Sequence, residues 1–436
     1  MNRPLISYYG DDFTGSTDVM EALAANGVET VLFLKQPDDA LLARFSTARA
    51  IGLAGTSRSE TPAWMDAHLR DALIWLKARE AELCHYKVCS TFDSGPAIGN
   101  IGRAIEIGRD LFAATTVPLV VGAPQIRRYT AFGQLFAAYQ GRNWRIDRHP
   151  VMSRHPVTPM DEADILAHLS RQTALTSAGL DNIAIVADDA RDKAAAIEAD
   201  IVLLDVADAA TQAAAGDLIW NVLRQKSRFL CGSSGVEYAL LSAWRAAGLI
   251  GARPQFADAG PVEQIAVVSG SVSPTTERQI RHALANGFDG ITLDPLRLAT
   301  DETEIGAAVE AGLESLSAGR SVLLYTALGP SADRGGELDG TAGARHRLGR
   351  ALGRIQRQLV ERAGLTRAVI AGGDTSSHAM GEMGISALTL KMPLPQTPGS
   401  PLCVAHGGPT DGLEIALKGG QVGGDHYFAM IRAGRA

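Results

Sequence analysis

The sequence predicts an α/β protein built as two Rossmann-like three-layer domains with mostly parallel sheets, and three observations carry that expectation. Short apolar runs alternate with amphipathic helical stretches along most of the chain, the pattern of βαβ units covered on both faces. The 436 residues exceed what one hydrophobic core organises, since single cores stop growing near ~250 to 300 residues. Between two such blocks lies ARPQFADAGPVEQ (252–264), with two prolines and small residues, the best linker in the chain. The domains expected are therefore 1–250 and 264–436, joined by 251–263, with the boundary near residue 256.

In the first block, LISYYG reads as a strand leading into a helix over about 15–26, and ETVLFL, RAIGLAG, LCHYKV and VPLVVG continue the rhythm. The segment 139–164, rich in prolines, histidines and arginines, breaks it and reads as a long functional loop. Strands are expected again at NIAIVA (182–187), IVLLDV (201–206) and RFLCG (228–232). The second block starts at IAVVSGS (265–271) and runs through SVLLYTA (321–327), RAVIAGGDT (367–375) and ISALTL (385–390). Its glycine-rich, charged stretch 329–345 reads as a mobile loop.

Composition narrows the function classes. Hydrophobic residues make up 46% and charged residues 20%, the balance of a globular chain. A formal net charge of −7 gives no field to attract nucleic acid or an acidic membrane surface, although a few arginines can still reverse the sign inside one pocket. Cys84, Cys89, Cys231 and Cys403 form no CxxC pair and read as reduced core residues. No secretory leader and no run of ~18 apolar residues is present, so a cytoplasmic location is expected.

In an open parallel sheet, ligands collect beyond the carboxyl ends of the strands. The first such end carries YYGDDFTGSTD (8–18), with Asp11 and Asp12 at the turn. Thr14, Ser16 or Asp12 can cap the helix, but a cap uses only one acid; with Asp11 and Asp12 taken up elsewhere, Thr14 or Ser16 is the expected cap. Asp18 reads as complementing the helix dipole. A second end carries GTSRS with Arg58, by itself an ordinary solvated arginine. A third carries YKVCSTFDSGPAIGNIG (86–102), where Lys87, Ser90, Thr91 and Asp93 precede a helix start and form an anion cradle. If the sheet order brings these three strand ends together, they make a carboxylate-binding pocket with acids beside it, suited to a hydroxy acid.

The second block has three glycine turns at strand-to-helix junctions: VVSGSVSPTTERQI (267–280), with Pro274 placed for the first helical turn, VIAGGDTSSHAMGEMGI (369–385) and ALKGGQVGGDHYF (416–428). One alone is weak; three suggest a nucleotide phosphate site made of backbone amides, and none matches the P-loop spacing. His149 and His155, near Asp147, fit no compact metal-ligand pattern, so no metal site is expected from them. His378 and His406 read as polar or core residues, and CGSSGVEY (231–238) as a helix cap rather than a hydrolase serine.

The pieces DDFTGSTD, TSRS, KVCSTFDS, GNIG, RYTAFGQLF, HPVTPM, GSVSPTTERQ, AGGDTS and LKGGQVGG, in this order, resemble the four-carbon acid sugar kinase family, formerly known only as a domain of unknown function. The resemblance implies a sugar-acid-binding domain and a nucleotide-binding domain with a cleft between them, closing over ATP and a small polyhydroxy carboxylate. It implies Asp12 or Asp11 as the group that accepts or orients the hydroxyl proton. It also implies Asp11, Arg58, Lys87, Ser90, Thr91, Phe92, Asp93 and Arg128 on the substrate side, with Arg58 and Lys87 on the carboxylate. On the ATP side it implies Ser271, Gly372, Gly373, Asp374, Thr375 and either Gly419 or Gly420. The implied reaction is ATP-dependent, magnesium-assisted phosphorylation of a terminal hydroxyl, on threonate, erythronate, 3-oxo-tetronate or a branched 3-oxo acid such as 3-oxo-isoapionate. The alternative is a regulator that binds nucleotide and sugar acid without turnover. A homodimer is compatible with either.

Overall fold

The structure, a computed structural model, describes residues 3–155, 157–341, 343–397 and 399–435. The chain divides into two compact units, Met1–Pro254 and Gln255–Ala436.

The first unit is organised by a sheet whose strands are continuous apolar runs, as a sheet covered on both faces requires. Its strands are β1 (Ile6–Gly10), β2 (Thr30–Phe33), β3 (Ala50–Ala54), β4 (Leu83–Lys87), β5 (Val117–Val120), β9 (Ser177–Leu180), β10 (Ile201–Leu204) and β11 (Phe229–Gly232). A separate antiparallel sheet holds β6 (Arg128–Ala131), β7 (Gln134–Tyr139) and β8 (Arg142–Arg145). The main sheet runs β2-β3-β1-β4-β11-β5-β10-β9, every pair parallel. From β1 the chain moves out to β2 and β3 on one side and then crosses to β4 on the other. The carboxyl ends of β1, β3 and β4 therefore flank the crevice where such sheets bind ligands.

The second unit contains β12 (Ala266–Ser269), β13 (Phe288–Thr292), β14 (Ser321–Tyr325), β15 (Arg367–Ala371), β16 (Ala387–Met392), β17 (Leu402–His406) and β18 (Glu414–Lys418). The order is β13-β14-β12-β15-β18-β17-β16, parallel through β18 and antiparallel beyond it. The C-terminal helix Tyr427–Ala433 packs Tyr427, Phe428 and Ile431 onto Val267 and Val369. Arg367, buried at the start of β15, pairs with Glu414 and donates to the carbonyls of Gly260 and Ile431, both at 2.9 Å. One guanidinium thus ties both ends of the unit to its central strands.

Several expectations are corrected. NIAIVA is not a strand: the Asp181 carboxylate accepts from the amides of Ile183 and Ala184, turning the chain into a 3-10 turn over Ala184–Val186, and β9 lies before it. The expected 139–164 loop contains β8 and two 3-10 turns, in which the His149 and His155 rings accept from nearby backbone amides. The glycine-rich stretch 329–345 folds into a 3-10 turn, the helix Gly335–Asp339 and the start of the helix Ala344–Ala363. The first helix spans Phe13–Ala24, and its cap is Asp12, not Thr14 or Ser16, with Asp12 Oδ1 accepting from Gly15 N at 2.6 Å. At CGSSGVEY, Ser234 stands at the helix start but makes no side-chain cap; Ser233 Oγ accepts from Gly235 N instead. Pro274 opens the helix Pro274–Ala285, as its fixed φ favours.

The turn after β1 depends on a close approach. A Cβ on Gly10 would lie 1.9 Å from Ser16 Oγ and 3.0 Å from Ser16 Cα, so only glycine lets the helix sit against the strand end. Gly10→Ala should destabilise the chain by about 1–3 kcal/mol, the usual range for overpacking, seen as a lower thermal midpoint; an unchanged midpoint would show that the turn can yield.

Candidate active site and nucleotide cavity

The end of β1 holds two adjacent carboxylates, which repel, and the end of β3 supplies the cation that makes them compatible. Arg58 lies in a 3-10 turn whose Ser57 hydroxyl hydrogen-bonds Tyr86 of β4 at 2.9 Å, and Arg58 N–H donates to the Asp11 carbonyl at 3.0 Å. Its side chain donates to both oxygens of Asp11, at 3.0 and 3.2 Å, and to Asp12 Oδ2 at 2.6 Å. The two acids differ in exposure. The Asp11 side chain is 5% exposed and Asp12 28%. Burial pushes Asp11 up to about 6, Arg58 opposing and Asp12 adding to the shift. For Arg58, burial works against the charge, but the two carboxylates hold the guanidinium well above its ordinary value.

Lys87 ends β4, is 3% exposed, and accepts from Asp11 N through its carbonyl at 2.9 Å. Its ammonium lies over the first turn of the helix: a Cβ on Gly15 would meet Lys87 Nζ at 2.8 Å and Asp12 Oδ1 at 2.6 Å. Asp18, one turn on, feels the same cation; burial raises its pKa and Lys87 lowers it, so Asp18 belongs to this cluster rather than only to the helix dipole.

The segment after β4 turns back over these groups. Thr91 Oγ1 donates to Asp93 Oδ1 at 2.5 Å, and Thr158 Oγ1 to Asp93 Oδ2 at 3.3 Å. Ser90 is buried on the same turn. Phe92 is fully buried against His168 and takes a φ of +56°, a conformation costly for a bulky residue and typical of functional turns. Arg128, at the start of β6, donates to the carbonyls of Ile126 and Arg127, and burial holds its guanidinium below the ordinary value. Its Nε is buried without a hydrogen-bond partner among the described residues. Arg58 is already neutralised by two acids; Arg128 is the guanidinium with spare capacity for an anion.

In the second unit a cavity of about 390 Å³ opens beyond the carboxyl ends of β12, β14, β15 and β18. Gly270 and Ser271 follow β12, Thr326 follows β14, Gly372 and Gly373 follow β15, and Gly420 follows β18. Gly372 has a φ of +119°, which a side chain would strain, and opens the helix Gly373–Glu382, whose N-terminus faces the cavity. Gly420 lines the cavity; Gly419 does not, and its N–H donates to Ser400 Oγ. The side chains of Asp374 and Thr375 lie outside the described residues. Arg334, Arg345, Asp333 and His378 also line the space, with the His378 ring 4.2 Å from His346.

The structure thus brings together Asp11, Asp12, Arg58 and Lys87 in one unit, and Ser271, Gly372, Gly373 and Gly420 in the other. Sequence reasoning missed Thr158, although HPVTPM is one of the pieces that carry the resemblance, and Arg334 and Arg345, hidden in a stretch read as mobile. Cys89 was read as core; it is a partly exposed thiol whose Sγ lies 2.9 Å from Thr91 Oγ1. Among the described residues no group of three or more histidine, cysteine or acidic side chains has metal-binding geometry, and no helix is long and apolar enough to cross a membrane.

Removing Arg58 leaves the buried Asp11 and the partly exposed Asp12 side by side without their cation. Arg58→Gln should cost ~3 kcal/mol, the low end for breaking a buried pair because the guanidinium is partly exposed. Asp11 binds its proton more tightly folded than unfolded, so the penalty is full above its folded pKa and relieved below it. Thermal midpoints at pH 8 and pH 5 check this; an equal loss at both would rule out charge repulsion as the cause.

Residues 6–240 match the model of a sugar-binding N-terminal domain, and residues 266–428 that of a nucleotide-binding C-terminal domain. A 3-oxo-isoapionate kinase of Paraburkholderia graminis is 46% identical, the match covering 99% of this chain and 94% of that protein. A 3-oxo-tetronate kinase of Cupriavidus necator is 32% identical over 98% of this chain and 96% of that protein. The crystal structure of a Haemophilus influenzae protein assigned to a domain-of-unknown-function family shares the fold, with a TM-score of 0.75 at 21% identity, over 98% of this chain and 99% of that one. With both halves matched and a close relative aligned along nearly its whole length, the chain belongs to the four-carbon acid sugar kinase family.

Proposed function

We propose that the chain phosphorylates the primary hydroxyl of a branched 3-oxo sugar acid of the 3-oxo-isoapionate type, with ATP as donor. The observation that carries the reading is the Asp11–Arg58–Asp12 cluster at the end of β1, two acids held side by side by one guanidinium with a lysine beside them. The branched substrate is favoured because the 3-oxo-isoapionate kinase is 46% identical and the 3-oxo-tetronate kinase 32%.

Phosphoryl transfer needs positioning, charge neutralisation and a group to take the hydroxyl proton. Asp12, the more exposed acid, accepts that proton as the substrate oxygen attacks the γ-phosphorus and ADP leaves. Asp11 acts behind it: ionised, it holds Arg58, and Arg58 holds Asp12. Arg128 and Lys87 take the substrate carboxylate, and Thr91 and Thr158 keep Asp93 oriented toward the polyol. The glycine-turn amides around the second cavity hold the nucleotide phosphates, with Arg334 and Arg345 at its wall. Magnesium suits this donor set, because it takes one or two carboxylates and otherwise keeps water and phosphate oxygens; Asp333 is the described carboxylate at the cavity wall.

ADP formation with 3-oxo-isoapionate, 3-oxo-tetronate, threonate and erythronate should be fastest with the branched acid; no turnover on any of them would sink the proposal. Asp12→Asn should lower kcat by about 100-fold or more, the scale of a lost general base, while ATP binding persists. Wild-type kcat/KM should fall below pH ~6 as Asp11 protonates, and Asp11→Asn should flatten that limb; a limb unchanged in Asp11→Asn would separate it from Asp11. Gly372→Ala should raise the KM for ATP about tenfold, by straining the +119° turn, and leave the sugar-acid KM in place.

A further inference from the structure

The last residue of β18 is a lysine that no role above uses. Lys418 is fully buried and is not among the residues that line the cavity. Its three ammonium donors meet three neutral acceptors: Thr276 Oγ1 at 2.9 Å, the Gly419 carbonyl at 2.8 Å and the Gly420 carbonyl at 3.4 Å. Burying an ammonium is costly, and burial lowers the Lys418 pKa to about 7. A purely structural strand end would be served by an apolar side chain at no such cost.

Two consequences follow from the geometry. A trans peptide places its N–H opposite its C=O. With the Gly419 and Gly420 carbonyls drawn toward Lys418, the amides of Gly420 and Gln421 point away from it, and both residues line the cavity. The second consequence runs through Thr276, which sits in the first turn of the helix Pro274–Ala285. Its hydroxyl accepts from Lys418, donates to the Gly420 carbonyl at 3.1 Å, and lies 2.9 Å from Ser271 Oγ, which in turn accepts from Ser273 N at 3.3 Å. Gly420 packs close beside this relay: a Cβ on it would meet Ser271 Oγ at 3.3 Å.

We infer that Lys418 is a positioning residue for the nucleotide: it turns two successive amides of the β18 glycine loop toward the phosphates and, through Thr276, holds Ser271 at the cavity wall. The inference rests on the reading of this cavity as the nucleotide site. It assigns the lysine of the last glycine motif to the far side of the loop, where it shapes the amide cradle without touching the ligand.

Thr276→Val removes the relay hydroxyl at nearly constant volume, Thr276→Ser keeps it, and Lys418→Met removes the ammonium. In the full-length enzyme, Thr276→Val and Lys418→Met should raise the KM for ATP by about tenfold or more and leave the sugar-acid KM within about twofold, whereas Thr276→Ser should stay close to wild type. An ATP KM within about twofold of wild type in both disruptive variants, or a parallel rise in both KM values, would overturn the inference. So would Thr276→Ser impaired as much as Thr276→Val, a comparison that decides even if Lys418→Met does not fold. Calorimetric titration of wild type with ATP separates the two levels: no binding removes the nucleotide reading itself, whereas binding with insensitive variants removes only the role of Lys418.

Discussion

Two carboxylates on consecutive residues cannot share a partly desolvated turn unless a cation lies between them, and Arg58 is that cation. Everything at the end of β1 is arranged for it. The Ser57–Tyr86 hydrogen bond and the Asp11 carbonyl fix the backbone of the arginine turn, and the parallel β3-β1-β4 order brings that turn beside the acids. Asp12 is held a second time, as the helix cap, so its position is set by a backbone amide on one oxygen and a guanidinium on the other. The consequence is an acid pair in which one member is buried and titrates near neutrality and the other stays accessible.

The two units address anions by different physics. The first gathers full charges, Arg58, Lys87 and Arg128 against Asp11, Asp12 and Asp93, where a small change of occupancy or protonation alters the balance strongly. The second, in the proposed reading, sets the partial charges of glycine turns and a helix N-terminus beside Arg334 and Arg345. A sugar-binding domain needs to discriminate among similar polar molecules, which side chains do well. A nucleotide-binding domain has to bring its backbone close to phosphates, which the positive φ at Gly372 permits.

Membership in a sugar-acid kinase family leaves the acid itself to be decided by side chains around one end of the substrate. In the proposed reading, the segment from Lys87 to Asp93 and the strand opened by Arg128 surround that end, and the segment is tied to parts of the chain outside the βαβ framework: Asp93 to Thr158, and Phe92 to His168.

The sequence by itself determined the alternation of buried strands and helices, because continuous apolar runs and the prolines and glycine pairs between them act locally. It named Asp11, Asp12, Arg58 and the glycine turns as candidates, but not who partners whom. Local pattern failed at NIAIVA, where one Asp181 carboxylate overrides strand propensity, and at 329–345, where a stretch read as loose forms a short helix with Arg334 at its N-cap and the start of the long helix Ala344–Ala363, and Arg334 and Arg345 line the cavity. Only the tertiary structure decided that Asp12 is both cap and ion-pair partner, that Arg58 is spent on the acids while Arg128 is free of them, and that Lys418 faces the back of the glycine loop. Each of these depends on strands far apart in sequence becoming neighbours, and partnership and desolvation exist only once that packing has formed.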